Sequence, residues 1–292
     1  MAIKKSELYS SLWKSCDELR GGMDASQYKD YILTLLFIKY VSDKKKVDSN
    51  FGIDIPEGAW FDDLVKLKGT KDIGEDIDKA IAKLAEENDL NGVINVASFN
   101  DSEKLGNGKE KVDKLTNLIS IFQDEKMNFS SNKAEDDDLL GDAYEYLMRN
   151  FATESGKSKG QFYTPAEVSR VLSKIIGIGK TEKIKITVYD PTCGSGSLLI
   201  KVADEAGDKN VSIYGQEMDN ATAGLAAMNT IMHSKELAEI KKGNTLSDPQ
   251  FKDDNNNTKL KTFDFVVAII FSLLEYCIHS FTYRTYQLKN IC

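Results

Sequence analysis

Ile184-Lys-Ile-Thr-Val-Tyr-Asp-Pro-Thr-Cys-Gly-Ser-Gly-Ser-Leu-Leu199 is the stretch on which the fold turns. Ile184, Ile186 and Val188 alternate as one face of a strand does, which predicts a strand over 184–189. Leu199, Val202, Ala203 and Ala206 then recur at helical spacing and predict a helix over 198–206. Between them Asp190 closes the strand, and Gly194 and Gly196 stand one residue apart. Glycines let a backbone approach a ligand closely, and a helix N-terminus offers unpaired N–H groups. Taken alone, the loop is either a nucleotide-cofactor cradle or a tight strand-to-helix turn. It is not the dinucleotide fingerprint, because Leu199 holds the third glycine's place, and no Gly-Lys-Ser/Thr makes it a phosphate loop.

Strands and helices alternate around this loop, the mark of a doubly wound parallel sheet. A helix over 165–176 precedes it. After it come a strand over 211–215 running into Gln216-Glu217, a helix over 220–233 and the turn Gly243-Asn-Thr-Leu246. A polar loop, Asp253–Thr258, leads to a strand Phe263-Asp-Phe-Val-Val-Ala268. Ligands of open α/β sheets sit beyond the carboxyl ends of adjacent strands, where an acid such as Glu217 can accept both ribose hydroxyls. Thr164-Pro-Ala-Glu167 reads as a capping box with proline at the first helical position. That does not explain the adjacent aromatics Phe162 and Tyr163, which could pack on an adenine ring.

The first 130 residues read as helical: Ser6–Arg20, a segment opening near Asp24 or Ser26, Gly74–Asn88 and Glu110–Glu125. Tyr31–Val41 is apolar over about 11 residues, too short for the roughly 18 of a membrane span and suited to a buried helix. The acidic stretch Ser130–Asp138 is the expected boundary, followed by an amphipathic helix through Tyr144, Leu147, Met148 and Phe151. Residues 155–160 are read as a flexible loop. With 41% hydrophobic and 29% charged residues the chain reads as globular. Four unclustered cysteines suit a reducing cytoplasm, and with only two histidines they argue against a metal site. A formal charge of −8 is unhelpful for gripping DNA alone, since phosphates are held by Lys and Arg.

Four motifs, in order and spacing, carry a resemblance: Gly160-Gln-Phe-Tyr-Thr-Pro165, Asp190-Pro-Thr-Cys-Gly-Ser-Gly-Ser197, Gly215-Gln-Glu217 and Gly243-Asn-Thr-Leu246. They resemble the adenine-N6 DNA methyltransferases and, more narrowly, the modification subunit of type I restriction-modification systems. Asp138–Leu147 is similar to that family's helix leading into the catalytic domain. The resemblance implies a helical N-terminal domain at 1–132. It then implies the N-terminal half of a Rossmann-like, S-adenosylmethionine-dependent methyltransferase sheet at 133–268. The implied cofactor site comprises Gln161, Phe162, Tyr163, Thr164, Pro165, Asp190, Thr192, Gly194, Ser195, Gly196, Ser197, Glu217, Asn244 and Thr245. Thr164 and the 190–196 loop would hold the methionine end, Glu217 the ribose, and Asn244 with Phe162 the adenine. Implied partners are double-stranded DNA with an adenine target, a specificity subunit and a restriction subunit, with no membrane and no metal.

The family's Asn/Asp-Pro-Pro-Phe/Tyr motif should follow Ala268, where its carbonyls accept the amino hydrogens of a flipped adenine. The chain instead reads Ile269-Ile-Phe-Ser-Leu273, and no proline occurs after Pro249. Only Glu275, Arg284 and Lys289 are charged among residues 269–292, so this segment is read as an aberrant tail. The expectation is a frameshift near Ala268, leaving a chain without its catalytic residues. The rival is a non-catalytic product that binds only cofactor or partner subunits. A truncated sheet should also leave an apolar parallel strand as an unpaired edge, and so a poorly soluble product. Sequencing the gene around codon 269 tests the frameshift: a one- or two-base correction should restore Asn-Pro-Pro-aromatic, and its failure to do so refutes the reading.

Overall fold

The computed structural model describes residues 5–20, 23, 25–130, 146, 147, 150, 166–233, 238–253 and 256–269. The expected boundary beyond Ser130, the 155–160 loop, Gln161–Pro165 and the tail beyond Ile269 lie outside them. Of the expected helix over 144–151, Tyr146, Leu147 and Asn150 are described and helical.

The helical half contains α1 (Lys5–Leu19), α2 (Ala25–Val47), α3 (Phe61–Lys66), α4 (Ile73–Glu87), α5 (Ser102–Leu105) and α6 (Lys109–Gln123). α2 begins at Ala25, so of the two expected capping positions Ser26 lies inside the helix and Asp24 outside the described residues. Its residues Tyr31 to Asp43 are all buried, as an all-round apolar helix requires. The charges in this run neutralise one another one turn apart. Lys39 Nζ lies 2.6 Å from Asp43 Oδ2, and the Phe129 N–H donates to the same oxygen at 2.9 Å. That carboxylate therefore ties the end of the helical half to its central helix.

The second half begins with α7 (Ala166–Ile176), followed by β1 (Lys185–Asp190), α8 (Ser197–Glu205), β2 (Asn210–Glu217), α9 (Asn220–Met232) and β3 (Ala238–Lys242). Then come β4 (Lys252–Asp253), β5 (Asn256–Leu260) and β6 (Phe265–Val266). The sheet order is β3-β2-β1-β6, with every pairing parallel. Ile186, Val188 and Ile213 face α8 and pack with Leu199, Val202 and Val267. The opposite face is aromatic: Tyr189 stacks on Phe263 with centroids 4.6 Å apart, and Phe251 meets Tyr189 and Tyr214 edge-on. The two halves have separate cores joined by α9: Leu225, Met228 and Met232 belong to the cluster built on α2, and Ala226 to that of the sheet.

Three expectations are corrected. β3 was not anticipated, since Ala-Glu-Ile-Lys-Lys has one strongly apolar residue and no clear alternation. The polar loop at 253–258 is instead part of an antiparallel hairpin, β4–β5. The strand expected over 263–268 is shortened to two residues, because the Asp264 side chain takes the ladder's place. Its Oδ2 accepts the Thr187 N–H at 2.9 Å and the Thr187 hydroxyl at 3.0 Å, while Lys183 pairs with Oδ1. β6 has β1 on one flank and, among the described residues, no strand on the other.

The Lys183 ammonium bound to Asp264 holds that carboxyl below its usual 3.8. A lowered pKa contributes stability above the unfolded value, which is lost as pH falls through the folded one. Asp264→Ala is expected to cost about 1 kcal/mol in urea unfolding at pH 7, from the hydrogen bonds to Thr187 lost at a solvent-accessible edge. The difference should shrink as the pH is lowered through 4 toward 3.

Candidate cofactor site

The site is built at the carboxyl ends of β1, β2 and β3, where the chain turns sharply three times. After β1, the Thr192 N–H donates to Asp190 Oδ1 at 2.9 Å, closing the turn. Gly194 and Gly196 take φ of +55° and +77°, left-handed values that favour glycine. The Gly196 N–H bonds the Cys193 carbonyl at 2.8 Å, and α8 starts at the next residue. A Cβ built on Gly194 would meet nothing within 4 Å among the described residues, so this backbone is open on their side.

The tip of β2 is drawn against that loop. The Cys193 N–H bonds the Gln216 carbonyl at 3.0 Å. This close approach needs Gly215, where a Cβ would lie 2.7 Å from Ile240 Cδ1 and 2.9 Å from Cys193 Sγ. The Glu217 carboxylate then bridges two elements. Oε2 accepts the Gly194 N–H at 3.1 Å, and Oε1 accepts the Asp219 N–H at 3.0 Å, at the start of α9. A carboxylate has about four acceptor positions, so each oxygen keeps one for an incoming hydroxyl.

The third turn follows β3. The Gly243 N–H bonds the Glu217 carbonyl at 2.9 Å, and the Thr245 hydroxyl donates to the Pro191 carbonyl. Asn244 Oδ1 accepts the Leu246 N–H at 3.0 Å, holding the turn while the residue stays exposed. The fully buried Gln216 pins the loop beyond, donating to the Asp248 carbonyl and accepting the Gln250 N–H.

The structure thus brings together three of the four expected motifs, those at 190–197, 217 and 244–245. The fourth, Gln161–Pro165, lies outside the described residues. Thr192, Gly194, Glu217 and Asn244 reach the open side. Asp190, Ser195 and Ser197 are buried, the two serine hydroxyls 3.0 Å apart, and serve the loop's own shape. Two exposed apolar residues beside these motifs were given no role by the sequence reading. Met218 and Leu246 directly follow Glu217 and the Asn244-Thr245 pair, and are 65% and 69% exposed. Their signal was positional, an apolar residue just past each strand-end motif. Among the described residues no cluster of His, Cys, Asp and Glu could hold a metal, and no helix is long and apolar enough to cross a membrane.

A parallel β3-β2-β1 sheet with a glycine turn at its centre and an acid on the neighbouring strand places the second half in the methyltransferase-type α/β class. A solved relative has the same fold. The methyltransferase subunit of the Streptococcus thermophilus type I restriction-modification system superposes with a TM-score of 0.76 at 26% identity, over 91% of this chain and 63% of that one.

Two family models match in tandem, the HsdM N-terminal domain over residues 8–122 and N-6 DNA Methylase over 135–273. Among curated proteins, the Mycoplasma pneumoniae type I restriction enzyme MpnII methylase subunit is 30% identical over 81% of this chain and 52% of its own length. The Escherichia coli EcoKI methylase subunit is 27% identical over 84% and 47% respectively. The chain belongs to the family of type I restriction-modification methylase subunits. It spans about half the length of the curated relatives it matches.

Burial pushes the Asp190 carboxyl up to about 7, with the Glu217 charge adding to the rise. The native protein therefore keeps a proton that the unfolded chain releases near 3.8, and stability falls as pH rises from 4 to 7. Asp190→Asn keeps an acceptor for the Thr192 N–H and cannot ionise. Its stability relative to the parent should increase between pH 4 and pH 7 and level off above, as measured by thermal unfolding across that range.

Proposed function

We propose that this chain is the cofactor-binding part of a DNA adenine-N6 methyltransferase of the type I modification kind, and that its ligand is S-adenosylmethionine. The observation that carries this is the Gly194–Glu217 bridge. An open left-handed glycine backbone and a carboxylate with spare lone pairs meet at the ends of two adjacent strands.

Bound there, S-adenosylmethionine would supply a methyl group activated on a sulfonium. The loop at 190–197, with Thr164, holds the methionine end through its backbone and the exposed Thr192. Glu217 accepts the two ribose hydroxyls. Asn244 and Phe162 address the adenine, and the exposed side chains of Met218 and Leu246 supply apolar surface for its ring. Of the remaining members of the expected set, Asp190, Ser195, Gly196, Ser197 and Thr245 shape or flank this cradle, and Gln161, Tyr163 and Pro165 are assigned to it by the family resemblance alone.

Double-stranded DNA, a specificity subunit and a restriction subunit are the proposed partners. With a net charge of −8 this chain is poorly suited to hold phosphates alone, so a second subunit is assigned most of that grip. The chain as written has no Asn/Asp-Pro-Pro-Phe/Tyr after Ala268. In the family that motif supplies the carbonyl acceptors that orient a poorly nucleophilic adenine amino group. The proposal for this chain is accordingly cofactor binding without turnover.

Calorimetric titration with S-adenosylmethionine tests the site. Glu217→Gln, which trades one charged acceptor for a donor, is expected to weaken binding by about tenfold, the lower end of a charged hydrogen bond's 1.5–3 kcal/mol. Gly194→Ala should cost about 1 kcal/mol of stability for its left-handed backbone and weaken binding further by projecting a methyl into the cradle. No heat of binding with the parent chain overturns the assignment. Labelled-methyl transfer to DNA by this chain with a specificity subunit should be undetectable, and detectable transfer overturns the non-catalytic reading.

A further inference from the structure

Helix α9 has two working faces. One meets the glycine loop. Asn229 is fully buried, and its Nδ2 donates to the Ser195 carbonyl at 2.9 Å, between the two left-handed glycines. One turn earlier Ala226 lies under Gly196, where a built Cβ would be 3.5 Å from the Ala226 Cβ. At its start the helix is tied to Glu217 through the Asp219 N–H.

The other face meets the helical half. A Cβ on Gly224 would lie 3.1 Å from the Val93 Cα, so the two backbones are in near contact. The segment carrying Val93 is fastened to α2, because the Thr34 hydroxyl donates to the Ile94 carbonyl at 3.0 Å in a buried bond. At the far end, the Tyr40 hydroxyl of α2 donates to the Met232 carbonyl at 2.9 Å. That carbonyl is among the last four of α9, which have no partner within the helix. A rigid helix held at Gly224 and Met232 by one half of the molecule, and bonded at Asn229 between them to the loop of the other, passes displacement from one to the other. A hydrogen bond of 2.9 Å is weakened by a slide of well under 1 Å.

We propose that Asn229 is a positioning residue for the cofactor loop, and that α9 makes the loop's conformation depend on how the N-terminal helical half is seated. The inference rests on the reading of the 190–197 loop as the cofactor cradle, but its structural content stands apart from it. Asn229 Oδ1 has no hydrogen-bond partner among the described residues. A buried unpaired acceptor costs stability, so the polar contact that this amide offers in return is the Nδ2 bond to the loop.

The test uses the full chain with three substitutions, Asn229→Asp, Tyr40→Phe and Gly224→Ala. S-adenosylhomocysteine affinity is measured by calorimetry, and amide hydrogen exchange is followed at Cys193 and Gly196, whose N–H groups bond within the loop region. Asn229→Asp sets a carboxylate against the Ser195 carbonyl. It is expected to weaken binding about tenfold and speed exchange at both amides. Tyr40→Phe deletes one hydroxyl far from the loop. It should still speed exchange there and weaken binding about threefold, with no added effect when combined with Asn229→Asp. Gly224→Ala should act as Tyr40→Phe does. Loop exchange unchanged in Tyr40→Phe and Gly224→Ala overturns the proposal. So does acceleration shared equally by all protected amides, which would report global loosening only. If the parent chain binds no S-adenosylhomocysteine, the cofactor reading fails, and the exchange data alone decide this inference.

Discussion

Glu217 is the constraint on which the second half of the molecule is organised. Its two carboxylate oxygens take backbone N–H groups from different elements, Gly194 in the turn after β1 and Asp219 at the start of α9. Its own carbonyl takes the Gly243 N–H from the turn after β3. Three strand ends are thus gathered around one residue. The gathering is possible because Gly215 lets Cys193 and Ile240 close over β2 without a side chain between them. Hydrogen bonds to an ionised acceptor are about twice as strong as neutral ones, which suits a residue that must hold three turns in register.

The helical half is joined to this centre through α9. Leu225, Met228 and Met232 are buried in the cluster built on α2, and Ala226 and Asn229 belong to the other side of the same helix. One helix of 13 residues therefore serves two cores. A helix apolar on nearly all sides is what such a position demands. Within the helical half the equivalent device is electrostatic. Lys39 and Asp43 face each other inside the core, and the Asp43 carboxylate also receives the Phe129 N–H. Burying a charge is tolerable only where it is paired and hydrogen-bonded, and both conditions are met there.

The sheet's two faces are finished differently. One is aliphatic and covered by helices. The other carries Tyr189 and Tyr214 beneath Phe251 and Phe263, with the Lys241 ammonium 4.8 Å from the Phe251 ring. β6 is held to β1 as much by the Asp264 side chain as by its short ladder. Packed against α8, α7 turns Ser169 and Ser173 inward, fully buried. Val168, Val171 and Ile175 recur along its exposed side.

Most of the elements were legible in the sequence because their signals are local. β1, α8, β2 and α9 follow from alternation, from helical spacing and from glycines placed where the chain reverses. Glu217 was readable because a charged residue ending an apolar strand marks the ligand side of such a sheet. β3 was not readable, because Ala-Glu-Ile-Lys-Lys is recruited by its neighbour β2 and not by its own pattern. Met218 and Leu246 drew notice only as exposed apolar side chains next to the strand-end motifs.

The sequence by itself determined the succession β1, α8, β2 and α9, the three strand-end turns and the family, since each depends on residues within a few positions of one another. Only the tertiary structure decided that Asp264 shortens the last strand, that Asp190 is buried, and that Asn229 supports the Ser195 carbonyl. Each depends on groups 34 to 77 positions apart, or on the burial that packing creates, and no local period encodes such a meeting.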